Sequence, residues 1–142
     1  MAALVLRGQV YRDLEYTYPD GGPTADKYII VLNKNHLPTQ PIIVVPTTTF
    51  RGEERFSAGC KSSQEYHLPA NQDCFADNTI IQLFVLGLVA DIAEDVFKSY
   101  QQTGRISKSP VKVLHPGTIA AILACVKTMK EDVRQNYYTC LF

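Results

Sequence analysis

The sequence predicts a mainly β domain with helices, built as a small, strongly bent antiparallel sheet or barrel that a C-terminal helix closes. Three observations lead to this prediction. Segments with strand character dominate the first part of the chain, two long polar loops interrupt them, and helical periodicity begins only after residue 90. A chain of 142 residues can bury most of the surface that it exposes when unfolded, so we predict one domain over residues 1–142.

The predicted strands are runs of branched and aromatic residues bounded by turn residues. They cover residues 8–16, 27–33, 42–49, 64–70, 78–86 and 111–114. Residues 18–26 contain two prolines and two glycines and are predicted to form a flexible loop that is too long for a tight hairpin. Pro46 cannot donate a ladder hydrogen bond, so it predicts an edge, a bulge or a strand end.

Two helices are predicted in the last third of the chain. The first has Ile92, Val96, Phe97 and Tyr100 at helical spacing, with Asp91 as its cap and a glycine at position 104 to end it. The second starts at a histidine and proline at 115–116, and its apolar face consists of Ile119, Ile122, Leu123, Val126 and Met129. The apolar tail, residues 137–142, is expected to pack on its own domain or on a second subunit.

The charge balance excludes a strong global field, because 14 basic and 14 acidic residues cancel. A local basic cleft remains compatible with this total. No apolar run reaches membrane-spanning length, and the first residues lack the pattern of a signal peptide, so we expect a cytoplasmic protein that does not enter a membrane. The cysteines at 60, 74, 125 and 140 have no metal-binding spacing and are expected to be free thiols. In an oxidising compartment, Cys60 and Cys74 could form a bridge across a loop.

Standard catalytic motifs are absent: there is no P-loop, GxGxxG, GxSxG or HExxH sequence. The three histidines, His36, His67 and His115, are far apart in the sequence. Because the sequence has so few candidate ligands, we predict no metal and no cofactor.

The remaining candidate is a cluster at the ends of two strands. Lys27 begins the second predicted strand, and Thr47, Thr48 and Thr49 end the third. If these strands are antiparallel neighbours, the lysine and the threonines share one rim of the sheet. A cation and a hydroxyl at one rim suit a phosphodiester, since the cation neutralises the negative charge on the oxygens of the pentacoordinate transition state and the hydroxyl donates to these oxygens.

In the order and spacing of these segments, the sequence resembles the MazF/PemK-type toxins of bacterial toxin–antitoxin modules. The family opens with Gly-Asp-(Val/Ile)-Tyr, and this chain has a similar tetrapeptide at 8–11, with Gln9 in place of the aspartate. Gly21 and Gly22 then precede the apolar strand that begins at Lys27. A second apolar strand, 43–48, ends in threonines, and a helix over 118–133 closes the chain. The resemblance covers nearly all of the chain, although residues 91–110 are longer than the usual connection.

The resemblance implies an SH3-like barrel with a C-terminal helix and one additional helix, usually a homodimer. It implies a toxin that acts as a metal-independent endoribonuclease on single-stranded RNA and is neutralised by a cognate antitoxin protein. By position, the catalytic residues are Thr48 and Lys27, where Lys27 occupies the place of the family's arginine. Lysine keeps the charge but loses the planar two-pronged grip on phosphate. The proline that normally follows the arginine is replaced by Tyr28.

In the implied reaction a base removes the proton of the RNA 2′-hydroxyl, the oxygen attacks the adjacent phosphate, and Lys27 and Thr48 stabilise the transition state. The base stays open between Lys27 with a lowered pKa, Glu53 and His67. Several further residues are expected to bind the substrate. They are Thr47 and Thr49 as supporting groups on the opposite face, Arg51 and Arg55 as substitutes for the missing guanidinium, and Tyr16, Tyr18 and Phe50 as stacking platforms for bases.

An alternative keeps the fold and changes the function. The related CcdB-type toxins share this barrel and poison a topoisomerase by protein contact, and the loss of the arginine is compatible with such a protein-binding role or with a catalytically silent member. A further alternative is a barrel that only scaffolds an assembly, with the tail at 137–142 as the contact.

Overall fold

The computed structural model describes residues 4–38, 40–52 and 55–142. In these residues eight strands form an antiparallel sheet. Seven of them lie side by side in the order β4-β5-β6-β3-β2-β1-β8, and the eighth, β7, pairs with β3 outside this order. The strands are β1 Gln9–Tyr18, β2 Gly21–Val31, β3 Ile42–Thr49, β4 Gly59–Lys61, β5 Glu65–Leu68, β6 Thr79–Gln82, β7 Asp91–Ile92 and β8 Lys112–Val113. The helices are α1 Glu94–Thr103, α2 Pro116–Thr128 and α3 Gln135–Leu141. The predicted mainly β domain with helices is confirmed.

The first two strands form a long hairpin, so the prediction of a flexible loop over 18–26 is wrong. β1 continues to Tyr18, which pairs with Gly21, the first residue of β2. Gly21 and Gly22 have φ angles of +90° and +79°, which only glycine adopts without strain, and they let the chain reverse tightly. As a consequence, Lys27 lies inside β2 and is not its first residue.

β3 is the central strand of the sheet and has three neighbours. It pairs with β2 from Val44 to Pro46, with β7 at its first two residues, and with β6 from Thr47 to Thr49. Pro46 therefore lies in the middle of an internal strand, contrary to the predicted edge, bulge or strand end. A proline is tolerated at this position because only β2 pairs with it. On the other side of β3, the neighbouring strand changes from β7 to β6 at Pro46, and neither of these strands pairs with the proline.

Both faces of the sheet are buried against helices, and the alternation of side chains along β2 and β3 divides the core in two. The larger cluster packs α2 and α3 on one face and includes Val10, Ile30, Leu32, Ile43, Val45, Ile81, Ile122, Val126 and Tyr137. The smaller cluster packs α1 on the other face and consists of Val5, Tyr11, Tyr16, Ile29, Val31, Ile42, Val44, Phe97 and Ile106.

The helices differ from the prediction at their ends. α1 begins at Glu94 with Ala93 as its N-cap, whereas Asp91, the predicted cap, lies in β7 and accepts a hydrogen bond from the hydroxyl of Tyr137. Gly104, with a φ of +84°, ends the helix as predicted. Within the described ranges, no helix is both long and apolar enough to cross a membrane.

Two predicted segments are shorter than expected. The strand predicted over 78–86 ends at Gln82 and continues as a 3₁₀ turn, Leu83–Gly87. The closing helix ends at Thr128, and after a second 3₁₀ turn, Lys130–Asp132, the chain forms α3. Tyr137 and Leu141 of α3 are buried in the larger cluster, so the apolar tail packs on its own domain.

A disulfide bond joins Cys60 of β4 to Cys125 of α2, with the two Cα atoms 5.4 Å apart. The prediction of free thiols is wrong for these two residues, and so is the alternative bridge between Cys60 and Cys74. Cys74 and Cys140 are free. The pairing was missed because β4 lies in a segment whose polar composition predicts a loop, and only the folded sheet brings this strand against α2.

We expect the disulfide to contribute substantially to stability because it closes a loop with a sequence separation of 65. Restricting the unfolded chain over such a loop corresponds to about 4 kcal/mol in the free energy of unfolding. Cys60→Ser should therefore lower the urea midpoint strongly, and Cys74→Ser is the matched control. Equal midpoints for oxidised wild type and Cys60→Ser would contradict the assigned bond.

Candidate functional site

The candidate site is centred on a contact between β2 and β3. The ammonium of Lys27 donates a hydrogen bond to Thr48 Oγ1 over 3.2 Å. The register of the two strands produces this contact, since Ile29 is opposite Pro46 and two further residues along each strand bring Lys27 opposite Thr48. Both side chains are half-buried. The predicted neighbourhood of the lysine and this threonine is confirmed.

Thr48 belongs to a row of side chains that crosses three strands. It pairs with Ile80 of β6, and Ile80 pairs on its other side with His67 of β5. The next residues along these strands, Ile81 and Leu68, point into the larger core, so the row lies on the opposite face. With neighbouring strands about 4.8 Å apart, the backbones of Thr48 and His67 are about 10 Å apart.

A second row lies beside the first on the same face. Glu65 of β5 pairs with Gln82 of β6, and the hydroxyl of Tyr18 donates to Gln82 Oε1 over 2.7 Å. The Tyr18 ring also lies 5.9 Å from the Lys27 ammonium, which is within cation–π range. The two rows form one half-buried surface, here called the lysine–threonine face, which consists of Tyr18, Lys27, Thr48, Glu65, His67, Ile80 and Gln82.

An aromatic cluster borders this face beside His67. The imidazole stacks on Phe56 with ring centroids 5.2 Å apart and an interplanar angle of 15°. Phe56 in turn contacts Phe50, again with centroids 5.2 Å apart. His67 Nε2 lies 3.4 Å from Glu65 Oε1, so the ring is held by stacking and by this polar contact. Phe50, a predicted stacking residue, therefore contacts the site through Phe56.

The other two threonines lie on the opposite face, as predicted. Thr47 is buried, and its hydroxyl donates to the carbonyl oxygen of Tyr28 over 3.3 Å. Thr49 is exposed and lines, together with Thr47, a small cleft of about 130 Å³ that includes Lys112 and Asp77. Neither hydroxyl is directed to the face that carries Lys27 and Thr48.

The two predicted arginines, Arg51 and Arg55, are exposed on the loop between β3 and β4. In the part of the chain that the structure describes, neither guanidinium donates a hydrogen bond to Thr48, whose hydroxyl oxygen accepts from Lys27. Glu53, a candidate for the general base, lies outside the described residues.

Tyr16 and Tyr18 differ in what they offer a ligand. Tyr16 is 8% exposed and belongs to the smaller core cluster, where desolvation raises the pKa of its hydroxyl. Its ring meets the Tyr18 ring edge to face, with centroids 5.1 Å apart. Tyr18 is half-buried and beside Lys27, so it presents more aromatic surface to the site than Tyr16 does.

The lysine–threonine face is suited to a phosphodiester. An ammonium has three donors and no acceptor, so Thr48 Oγ1 must accept in its contact with Lys27. The hydroxyl hydrogen of Thr48 and two ammonium hydrogens then remain to donate to phosphate oxygens. Among the residues described, no group of three His, Cys, Asp or Glu side chains could hold a metal ion.

Gln82 and Glu65 were not predicted as site residues. The signal in the sequence is the alternation of side chains along a strand, which puts residues two apart on the same face. This applies to Ile80 and Gln82 in one strand and to Glu65 and His67 in the other. Without the register between β5 and β6, the sequence does not show that these two pairs meet.

Comparison with known proteins adds no assignment. The chain matches no family model, no curated protein and no solved structure. The function must therefore be inferred from the residues and their geometry.

A cleft of about 550 Å³ lies away from this face, beside the N-terminal end of α1. Its lining includes Asp91, Glu94 and Asp95, and Glu94 also forms an ion pair with Lys98 over 3.1 Å. A wall with three carboxylates repels a phosphodiester, so the cleft does not compete with the lysine–threonine face as a nucleic-acid site.

The contact between Lys27 and Thr48 should be measurable as a coupling energy. In a double-mutant cycle with Lys27→Met and Thr48→Val, we expect a coupling of about 0.5–1.5 kcal/mol in the free energy of unfolding, since one hydrogen bond is lost. The same cycle with Thr49→Val should give no coupling, because Thr49 lies on the opposite face. Equal couplings in the two cycles would show that the contact does not form in solution.

Proposed function

We propose that this chain is a MazF/PemK-like toxin of a toxin–antitoxin module and that it cuts single-stranded RNA without a metal ion. The observation that carries the proposal is the 3.2 Å contact of the Lys27 ammonium with Thr48 Oγ1 on a half-buried face. These are the two positions at which the resemblance implies catalytic groups. The contact arises from strand register alone and is independent of the resemblance.

In the proposed reaction, the scissile phosphate binds against Lys27 and Thr48. The charge on its oxygens increases in the transition state, and the ammonium and the hydroxyl stabilise it more strongly there than in the bound substrate. Both groups are already oriented by their mutual hydrogen bond. The half-buried position strengthens the interaction, because the effective dielectric constant is lower than in bulk water.

The proposed substrate is single-stranded because its bases must be free to stack. Tyr18 beside Lys27, and the pair Phe50 and Phe56 beside His67, present aromatic surface at two borders of the face. Arg51 and Arg55 extend from the adjoining loop and can neutralise neighbouring phosphates. The net charge of zero is compatible with this role because the cations that matter are local.

The proposal includes the finer features that the resemblance implies: closure of the sheet into an SH3-like barrel, a homodimer, a cognate antitoxin and a cytoplasmic location. A disulfide bond is unusual in the cytoplasm. Cellular thiols that open the bond between Cys60 and Cys125 would remove its contribution to stability, so the domain is expected to be more stable outside a reducing compartment.

One observation favours a second candidate function. Lysine binds phosphate as a point charge and lacks the bidentate geometry of arginine. The site could therefore be a remnant in a protein that acts by contact with a protein target, in the manner of CcdB-type toxins. The two functions differ in whether RNA is cut.

The direct test is incubation of the purified protein with long mixed-sequence RNAs in EDTA, followed by mapping of the new ends. We expect cleavage by the wild type and a loss of about 100-fold or more with Thr48→Val, as is typical when one transition-state donor is removed. Thr49→Val, the same change one residue away on the other face, should cut as the wild type does. Absence of cleavage across several RNAs would exclude the ribonuclease and favour the protein-binding function.

Substitutions at Lys27 test the role of charge. Lys27→Met should abolish cleavage, whereas Lys27→Arg should retain or raise it, because a guanidinium supplies the charge together with two parallel donors. The measurement is the initial rate on one mapped RNA site. A Lys27→Met variant as active as wild type would remove Lys27 from the reaction.

A further inference from the structure

We propose that His67 is the general base of this site and that Glu65 positions its imidazole. The inference rests on the proposed ribonuclease function and assigns the group that this function leaves open. Its basis is the row Thr48, Ile80, His67, which places an imidazole on the same face as the phosphate-binding pair, two strands away.

The distance across the row fits the reaction. The backbones of Thr48 and His67 are about 10 Å apart, and both side chains project to the same side of the sheet. Ile80 between them is an apolar floor without a competing charge. A phosphate held at Thr48 and Lys27 can therefore direct its ribose 2′-hydroxyl along the row, toward the imidazole.

The environment of His67 selects one nitrogen as the base. Glu65 Oε1 accepts a hydrogen bond from Ser63 Oγ over 2.9 Å and lies 3.4 Å from His67 Nε2. If the imidazole carries its proton on Nε2 and directs it to this carboxylate, Nδ1 has a free lone pair that can accept the proton of the substrate. Phe56 covers one face of the ring and restricts its rotation. The imidazole is thus oriented before substrate binds.

Lys27 and the other two histidines are less suitable as the base. Lys27 donates to Thr48 and carries the charge that the phosphate needs, and an ammonium cannot accept a proton. His36 is buried in the loop before β3, with Nε2 2.9 Å from the carbonyl oxygen of Gln40. His115 is the N-cap of α2, and its Nδ1 accepts from the backbone N–H of Gly117 over 3.0 Å.

The proposed step is balanced. The 2′-hydroxyl proton moves to Nδ1 of His67, and the 2′-oxygen forms a bond to phosphorus. The bond from phosphorus to the 5′-oxygen breaks, and this oxygen leaves with a proton from solvent. The products are a 2′,3′-cyclic phosphate and a 5′-hydroxyl. Charged groups around the imidazole are Glu65 on its own strand, Lys61 of β4, which pairs with Glu65, and Arg55, which precedes Phe56 in the chain. Lys27 of β2 lies on the same face, three strands away.

The test compares wild type, His67→Ala and His67→Gln on one mapped RNA site in EDTA, with thermal melting to establish folding. We expect both variants to cut about 100- to 10,000-fold more slowly, the loss typical of a missing general base. Added imidazole should restore at least 10-fold of the rate in His67→Ala and should not accelerate Thr48→Val. The fall of the wild-type rate toward acid pH should be absent in both variants.

Two controls separate the roles. His115→Asn keeps a capping side chain on α2 and should cut as the wild type does. Glu65→Gln should lower the rate by about 10-fold without any response to imidazole, as expected for a positioning residue.

The proposal is overturned if a folded His67 variant cuts within threefold of the wild-type rate, or if its rate falls toward acid pH as the wild-type rate does. In that outcome the wild type still cuts and Thr48→Val does not, so the proposed function stands and only the base is wrong. A wild type that cuts no RNA removes both proposals together.

Discussion

The pairing register between β2 and β3 is the constraint on which the rest of this structure depends. It aligns Ile29 with Pro46, and from this alignment follow both the two-sided core and the contact of Lys27 with Thr48. A slip by one residue would move every side chain of a strand to the other face, which would bring Thr47 or Thr49 to the lysine. The other neighbours of β3 oppose this slip, because a shift of β3 would also break its present pairs with β6 and β7. Stability and site geometry therefore have the same origin.

The other half of the site depends on a small hairpin at the end of the sheet. β5 carries Glu65 and His67, and its outer neighbour β4 has only three residues. So short a strand cannot hold a hairpin in place alone. The disulfide bond from Cys60 to Cys125 attaches β4 to α2, and Gly59 of β4 pairs with His67. The imidazole is thus held by the pairing of β5 with β6 and, through β4, by a disulfide bond whose state depends on the redox environment.

The strands that bear the site were largely predictable from the sequence, because β3 and the apolar half of β2 are runs of branched residues whose pattern admits few alternatives. Long-range pairing was not predictable. The tight reversal at Gly21, the position of Pro46 between two neighbours and the bond from Cys60 to Cys125 each depend on partners distant in sequence. Strand order placed Lys27 near the three threonines and the family resemblance singled out Thr48, whereas Gln82 and Glu65 required the register of β5 and β6.

Analysis of the RNA ends is the measurement that tests the account most directly. If Lys27 and Thr48 stabilise attack by the 2′-hydroxyl, a mixed-sequence RNA treated with wild-type protein in EDTA must carry new 2′,3′-cyclic phosphates and 5′-hydroxyls. The same RNA treated with Thr48→Val must lack them, and treatment with Thr49→Val must leave them unchanged. Intact RNA with wild type, or identical new ends with Thr48→Val, would contradict a catalytic role for this face of the sheet.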